Sequence, residues 1–158
     1  MKLSDIVAAD AVIPELQAGD RNGVIRELMA ALVSAGKIPA EASEAVTKAV
    51  IARENQGSTG FGKGVAVPHA KHPQVPAMVA AVGRSSRGVD FAALDRAPVY
   101  TIVLLLSSTD HPDEHLQAME NIFRYLQRDN FRRFLRQAET AQAIVELIQE
   151  ADESSSDQ

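Results

Sequence analysis

Residues 99–106 read VYTIVLLL. A strand with one solvated face alternates apolar and polar side chains. This one is apolar on both faces over most of its length, so it belongs at the centre of a sheet, with helices over both sides. That reading predicts a layered α/β domain. Two further strands are expected nearby, a brief one at Val65-Ala66-Val67 and one over residues 78–82. An edge strand is expected around Ala11-Val12-Ile13.

The flanking segments carry helical periodicity. Asp20 is placed to cap a helix starting near Arg21, in which Val24, Ile25, Leu28, Met29, Leu32 and Val33 recur at helical spacing, and Gly36 is a natural stop. A second helix is expected after Pro39, burying Ala42, Val46, Val50 and Ile51 and fraying at residues 55–57. The last third is helical. Pro112-Asp113-Glu114 opens a helix with an apolar stripe of Leu116, Met119, Ile122, Phe123 and Leu126. A short helix follows around residues 131–136. A final one spans about residues 140–150, with Ala143, Ile144, Leu147 and Ile148 inward. The chain of 158 residues suits one domain, expected over residues 1–151, with residues 152–158 as a disordered polar tail.

Composition excludes several functions. The formal net charge is −5, which argues against nucleic-acid binding. No cysteine is present, so thiolate nucleophiles, disulfides and cysteine zinc sites are ruled out. Unbroken apolar runs such as residues 102–106 are far too short to enter a bilayer as a span, and the N-terminus has no secretory pattern. A soluble, cytoplasmic protein is the expectation.

Polar chemistry therefore falls to histidine and carboxylate side chains. Residues 57–70, GSTGFGKGVAVPHA, hold four glycines, a lysine and a histidine. The first half is one residue short of a nucleotide-binding P-loop. A P-loop follows a strand, opens a helix and ends in a hydroxyl that binds magnesium. This loop follows a helix and precedes a strand, and Gly64 stands where the hydroxyl is needed. Nucleotide binding is disfavoured. The glycines make a tight connection, or a nest of amides that receives a phosphoryl group attached elsewhere.

Four histidines are present: His69, His72, His111 and His115. His69 stands out because it leaves a strand directly after a proline, where a stiff backbone delivers a side chain to the rim of a sheet. A neutral imidazole is nucleophilic near pH 7 when its other nitrogen is held by a hydrogen bond. His115 falls in the first turn of the helix after the central strand, facing the same crevice if the strands are neighbours. Metal ligation is the competing reading of these pairs. Pro73 and Pro112 prevent either pair from sharing a helix face, so no metal is expected, nor any cofactor. Lys63, Lys71 and His72 read as solvated loop residues.

At this point a resemblance appears. Glu54, followed after six residues by Phe61-Gly62-x-x-Val65-Ala66-Val67-Pro68-His69-Ala70, resembles the phosphorylation motif of the enzyme IIA domains of the bacterial phosphoenolpyruvate-dependent sugar phosphotransferase system. The branch is the fructose/mannitol type, and the free-standing form is similar to its nitrogen-regulatory members. The resemblance implies a single domain with a mixed β-sheet flanked by helices on both faces. It implies a phosphotransferase component phosphorylated on His69 by a histidine phosphocarrier protein, with His115 as the second active-site histidine and Arg53 as the arginine ahead of the loop. Amides at Gly60 and Gly62 and the Thr59 hydroxyl would then solvate the phosphoryl oxygens. An enzyme IIB or a regulatory protein would be the downstream partner. The alternative is a regulatory binding module with no sugar-transport role.

Overall fold

The computed structural model describes residues 2–156. In chain order the elements are α1 (Leu3–Ile6), β1 (Val7–Ile13), α2 (Arg21–Ser34), a 3-10 turn (Ala40–Ala42), α3 (Ser43–Gln56), β2 (Val65–Ala66), β3 (His69–Lys71), β4 (Val79–Val89), β5 (Val99–Ser107), α4 (Pro112–Leu126), α5 (Asp129–Gln137) and α6 (Ala141–Ser156).

The sheet is mixed and open. β5 lies between β4, to which it is antiparallel, and the collinear pair β2 and β3, which run parallel to it. β1 closes the far edge, parallel to β4. The alternation along β5 divides the core. Ile102, Leu104 and Leu106 face α2 and α3, packing with Ile25, Leu28, Leu32, Val46 and Val50. Val103 and Leu105 face the opposite layer, packing with Ile122, Leu126, Ile144 and Ile148. The central strand is thus covered on both sides, as its composition requires.

Helix boundaries follow local chemistry. Asp20 caps α2, its Oδ1 accepting from the Gly23 amide at 2.7 Å. Gly36 takes a positive φ of 74° just past the helix end. Pro112 occupies the first turn of α4.

Three expectations change. Val65-Ala66-Val67 is not one strand ending at His69. The chain breaks at Val67-Pro68 and rejoins β5 as β3, so His69 starts a second strand, in register with Leu105. Proline has no amide to give to the ladder, which accounts for the break. Leu116 is 60% exposed, and His115 takes its place on the buried face of α4. The tail does not begin at residue 152. α6 continues to Ser156 because Asp152, buried, has work inside the protein. Its carboxylate accepts the Leu3 amide at 2.9 Å, the Ser4 amide at 2.8 Å and the Tyr125 hydroxyl at 2.8 Å. It thereby satisfies the first two amides of α1 and ties three helices together. Residues 157 and 158 lie outside the described residues.

Asp152→Ala strands three donors. It should cost about 2–4 kcal/mol in urea unfolding, while Tyr125→Phe, which removes one partner only, should cost about 1 kcal/mol.

Candidate active site

Two histidines from opposite layers meet at the end of β5. The His69 ring, at the start of β3, lies with its centroid 5.5 Å from that of His115, in the first turn of α4. His69 Nδ1 is 2.8 Å from the Val67 carbonyl oxygen. A carbonyl can only accept, so Nδ1 carries the proton and Nε2 keeps its lone pair. The break at Pro68 makes this contact possible, because it lets the imidazole fold back on a carbonyl two residues earlier.

His115 is 7% exposed, and its Nδ1 contacts the hydroxyl of Ser107, the last residue of β5. Ser107 continues the alternation of Val103 and Leu105, so the strand aims its hydroxyl at α4. Where the serine hydroxyl donates to Nδ1, the imidazole proton lies on Nε2. Such a His115 offers a hydrogen-bond donor, the polarity an anionic phosphoryl group needs.

Both rings are neutral near pH 7. Burial lowers the His69 pKa, aided by Arg53 and Lys71 and opposed by the Val67 hydrogen bond and Glu54. Burial also pushes His115 down to about 4, with His69 and Lys71 adding repulsion. Arg53, in the last turn of α3, donates from Nη1 to the Gly57 carbonyl at 3.0 Å, and so joins the loop while projecting charge toward His69.

The loop itself differs from a free cradle. The Thr59 amide is 3.1 Å from Glu54 Oε1, and its hydroxyl donates to the same carboxylate. The Gly60 amide donates to Ser58 Oγ at 3.0 Å. Thr59 and Gly60 therefore spend their donors inside the loop. Gly62, with φ 110°, pairs in a tight bridge with Val65. The structure brings His69, His115 and Arg53 into one electrostatic neighbourhood, and in it Thr59 and Gly60 donate within the loop and its helix while the Gly62 carbonyl accepts from the Val65 amide.

Two residues escaped functional assignment from sequence. Glu54, 2% exposed, is the anchor of the loop. Its signal was available as an acid at the C-terminal end of a helix, where the dipole disfavours it unless it has partners. Ser107 could have been found by extending the alternation of β5 one step beyond the apolar run. His72 instead shapes a turn, its Nδ1 accepting from the Gln74 amide at 3.1 Å. Among the described residues no cluster of three or more His, Asp or Glu side chains could hold a metal, and no helix is long and apolar enough to cross a membrane.

A mixed, open sheet flanked by helices on both faces, with two histidines meeting at the end of its central strand, has the architecture of the enzyme IIA domains. The chain belongs to the family described as "Phosphoenolpyruvate-dependent sugar phosphotransferase system, EIIA 2", whose profile matches residues 5–151. It is 32% identical over 148 residues to a nitrogen regulatory protein of Bradyrhizobium diazoefficiens, covering 94% of this chain and 95% of that one. It is 32% identical over 152 residues to the fructose-specific EIIABC component of Bacillus subtilis, covering 96% of this chain and only 24% of that relative. The crystal structure of the nitrogen regulatory protein IIA-Ntr from Neisseria meningitidis superposes with a TM-score of 0.82 at 26% identity, covering 92% of this chain and 98% of that one. Domains of this family are phosphotransferase components in general terms.

The depressed His115 pKa has a sign that can be checked. Between pH 6.5 and about 4 the unfolded chain binds a proton at residue 115 that the folded protein does not. Stability contributed by neutral His115 is complete above pH 6.5 and falls as pH drops through that window. His115→Asn should flatten this part of the Tm-versus-pH curve relative to wild type. In Ser107→Ala, a nitrogen-detected NMR spectrum should show His115 losing its preference for the Nε2–H form.

Proposed function

We propose that His69 accepts a phosphoryl group on Nε2 from a phosphohistidine of a histidine phosphocarrier protein. The observation that carries this reading is the Nδ1–H···O=C contact to Val67, which supports Nε2 as the nucleophile. In the step, the His69 Nε2 lone pair forms a new P–N bond while the donor P–N bond breaks and returns its electron pair to the donor imidazole. The proton stays on His69 Nδ1, hydrogen-bonded to the Val67 carbonyl, and the donor ring keeps the proton on its own second nitrogen and leaves as neutral imidazole, so no general base is needed. Such transfers pass through a loose transition state, in which positioning and charge stabilisation dominate. Arg53 supplies positive charge, and the His115 Nε2–H donates to a phosphoryl oxygen. The product is again a labile phosphohistidine, so the protein relays and does not store. An enzyme IIB is the receiver in the transport version of this reading, and a cytoplasmic location goes with it.

A second reading follows from the likeness to the nitrogen regulatory protein of Bradyrhizobium diazoefficiens. The phosphorylation state of His69 would itself be the output, read by a regulatory protein. The two readings separate in one assay. Phosphorylated protein that discharges to an enzyme IIB within minutes supports the relay, and phosphorylated protein that persists supports the signal.

With labelled phosphoenolpyruvate and the general phosphotransferase proteins, the wild type should take up acid-labile phosphate and His69→Ala none. Arg53→Gln should slow uptake by roughly 10²-fold, the usual effect of removing one charge-stabilising group. Undiminished labelling of His69→Ala would sink the assignment.

A further inference from the structure

The lysine of the glycine loop is unused by the phosphoryl site. It opens instead onto a cavity of about 770 Å³ at the other end of β5. Val65 pairs with Thr101 there, whereas His69 pairs with Leu105, four residues further along. At the rise of a strand that places the two sites about 13 Å apart.

The charge of this cavity contrasts with that of the chain. Five cationic side chains line it, Lys63, Arg84, Arg132, Arg133 and Arg136, against the carboxylates Asp129 and Glu139. The lining is net +3 in a chain of net −5, so the remainder carries −8. Folding has gathered cations from three elements, the loop before β2, β4 and α5, into one concave surface. Self-repulsion of gathered cations is unfavourable unless an anion relieves it.

The cations are of two kinds. Arg84 and Arg132 are fixed by the fold. Arg84 donates from Nε to the Arg136 carbonyl at 2.7 Å and from Nη1 to the Pro14 carbonyl at 3.2 Å. Arg132 donates to the Leu126 carbonyl at 2.7 Å and pairs with Asp129. They set the field. Lys63, Arg133 and Arg136 remain able to bind; Arg133 is held only by one bond from Nη2 to Asn130 Oδ1 at 2.9 Å and by its position 5.3 Å over the Phe134 ring. Among the described residues Lys63 has no ion-pair partner. The Arg136 guanidinium lies 3.5 Å over the Tyr100 ring. That stacking occupies its π face and leaves its in-plane N–H groups for an anion.

The backbone at Lys63 points the same way. Gly62, Lys63 and Gly64 have φ of 110°, 62° and 76°. Glycine takes these values freely, and lysine does so at a cost. The turn is pinned all the same, because the Gly64 carbonyl accepts both the Tyr100 amide at 2.8 Å and the Thr101 amide at 3.1 Å. Lysine thus stands where glycine would be less strained, and its side chain lines the cavity.

We propose that this cavity is a second ligand site, for a small organic anion carrying two or more phosphate or carboxylate groups, held by Lys63, Arg133 and Arg136 within the field of Arg84 and Arg132. Its volume suits a metabolite. The acidic remainder of the chain disfavours an extended nucleic-acid backbone. Because the Lys63–Gly64 turn runs directly into β2 and is bonded to β5, occupancy bears on the strands that hold His69 and Ser107. The site is independent of the proposed phosphoryl transfer, and its test does not pass through that reaction.

Titrate full-length protein with pyrophosphate and, separately, citrate, by calorimetry and by amide NMR at 50 mM and 300 mM salt. One saturating site is expected, at least 10-fold tighter than inorganic phosphate and weaker at high salt. Amide shifts should centre on Lys63, Gly64, Arg133 and Arg136. Lys63→Gly is the decisive variant, since it relieves backbone strain and leaves Tm equal or higher while weakening binding at least 3-fold. Arg133→Gln should weaken it similarly, and His69→Ala should leave it unchanged. The proposal fails if shifts centre on His69 and Arg53, if Lys63→Gly binds as wild type, or if a ten-nucleotide single strand binds more tightly than pyrophosphate.

Discussion

Burial of β5 on both faces is the constraint on which the rest of the molecule depends. A strand of nine residues with valine, isoleucine and leucine on alternate sides cannot rest against one layer. It forces α2 and α3 onto one face and α1, α4, α5 and α6 onto the other, and it takes β4 and the β2–β3 pair as neighbours. The strand also delivers chemistry. Its C-terminal residue carries the hydroxyl that contacts His115, and its register with β3 sets His69 beside that ring. Core and site are consecutive stretches of one element.

The glycine loop depends on a different interaction. Glu54 is buried near the C-terminal end of a helix, where the dipole and desolvation both oppose its charge. The Thr59 amide and hydroxyl offset that cost by donating to it. Arg53, its neighbour in sequence, turns outward to the Gly57 carbonyl. Adjacent residues of α3 thus hold the two sides of the loop, one from inside and one from outside. The Thr59 and Gly60 amides are thereby occupied inside the loop in this state.

Much of this was legible in the chain. Period and caps located every helix of more than one turn, because Asp20, Gly36 and Pro112 act through local backbone chemistry. The doubly apolar run located the central strand. His69 and His115 emerged from strand-end and helix-start positions. What was not legible depends on long-range partners. The burial of His115 in place of Leu116 turns on the rotation of α4, which a hydroxyl on β5 helps to fix. The extension of α6 through Asp152 turns on amides nearly the whole chain length away. Neither Ser107 nor Asp152 differs, as a letter, from a surface residue. The interruption at Val67-Pro68 was visible as a proline, but its consequence, a carbonyl aimed back at the His69 ring, required the turn in three dimensions.

The neutrality of the two histidines bears on how a relay avoids becoming a trap. A phosphoryl group on His69 is strongly anionic, and a protonated His115 beside it would hold it with a full ion pair in a site of low dielectric. That would stabilise the phosphorylated state and slow its discharge. Before a phosphoryl group arrives, burial keeps His115 well below its usual pKa, so it meets the incoming group as a directed dipole and not a charge. The positive charge comes instead from Arg53, which is half-buried and tied to a loop carbonyl. In the proposed relay, attraction is thus strong enough to orient the group and weak enough to release it. This balance is set by burial at the end of β5, so the packing that determines the fold also tunes the free energy of the phosphohistidine.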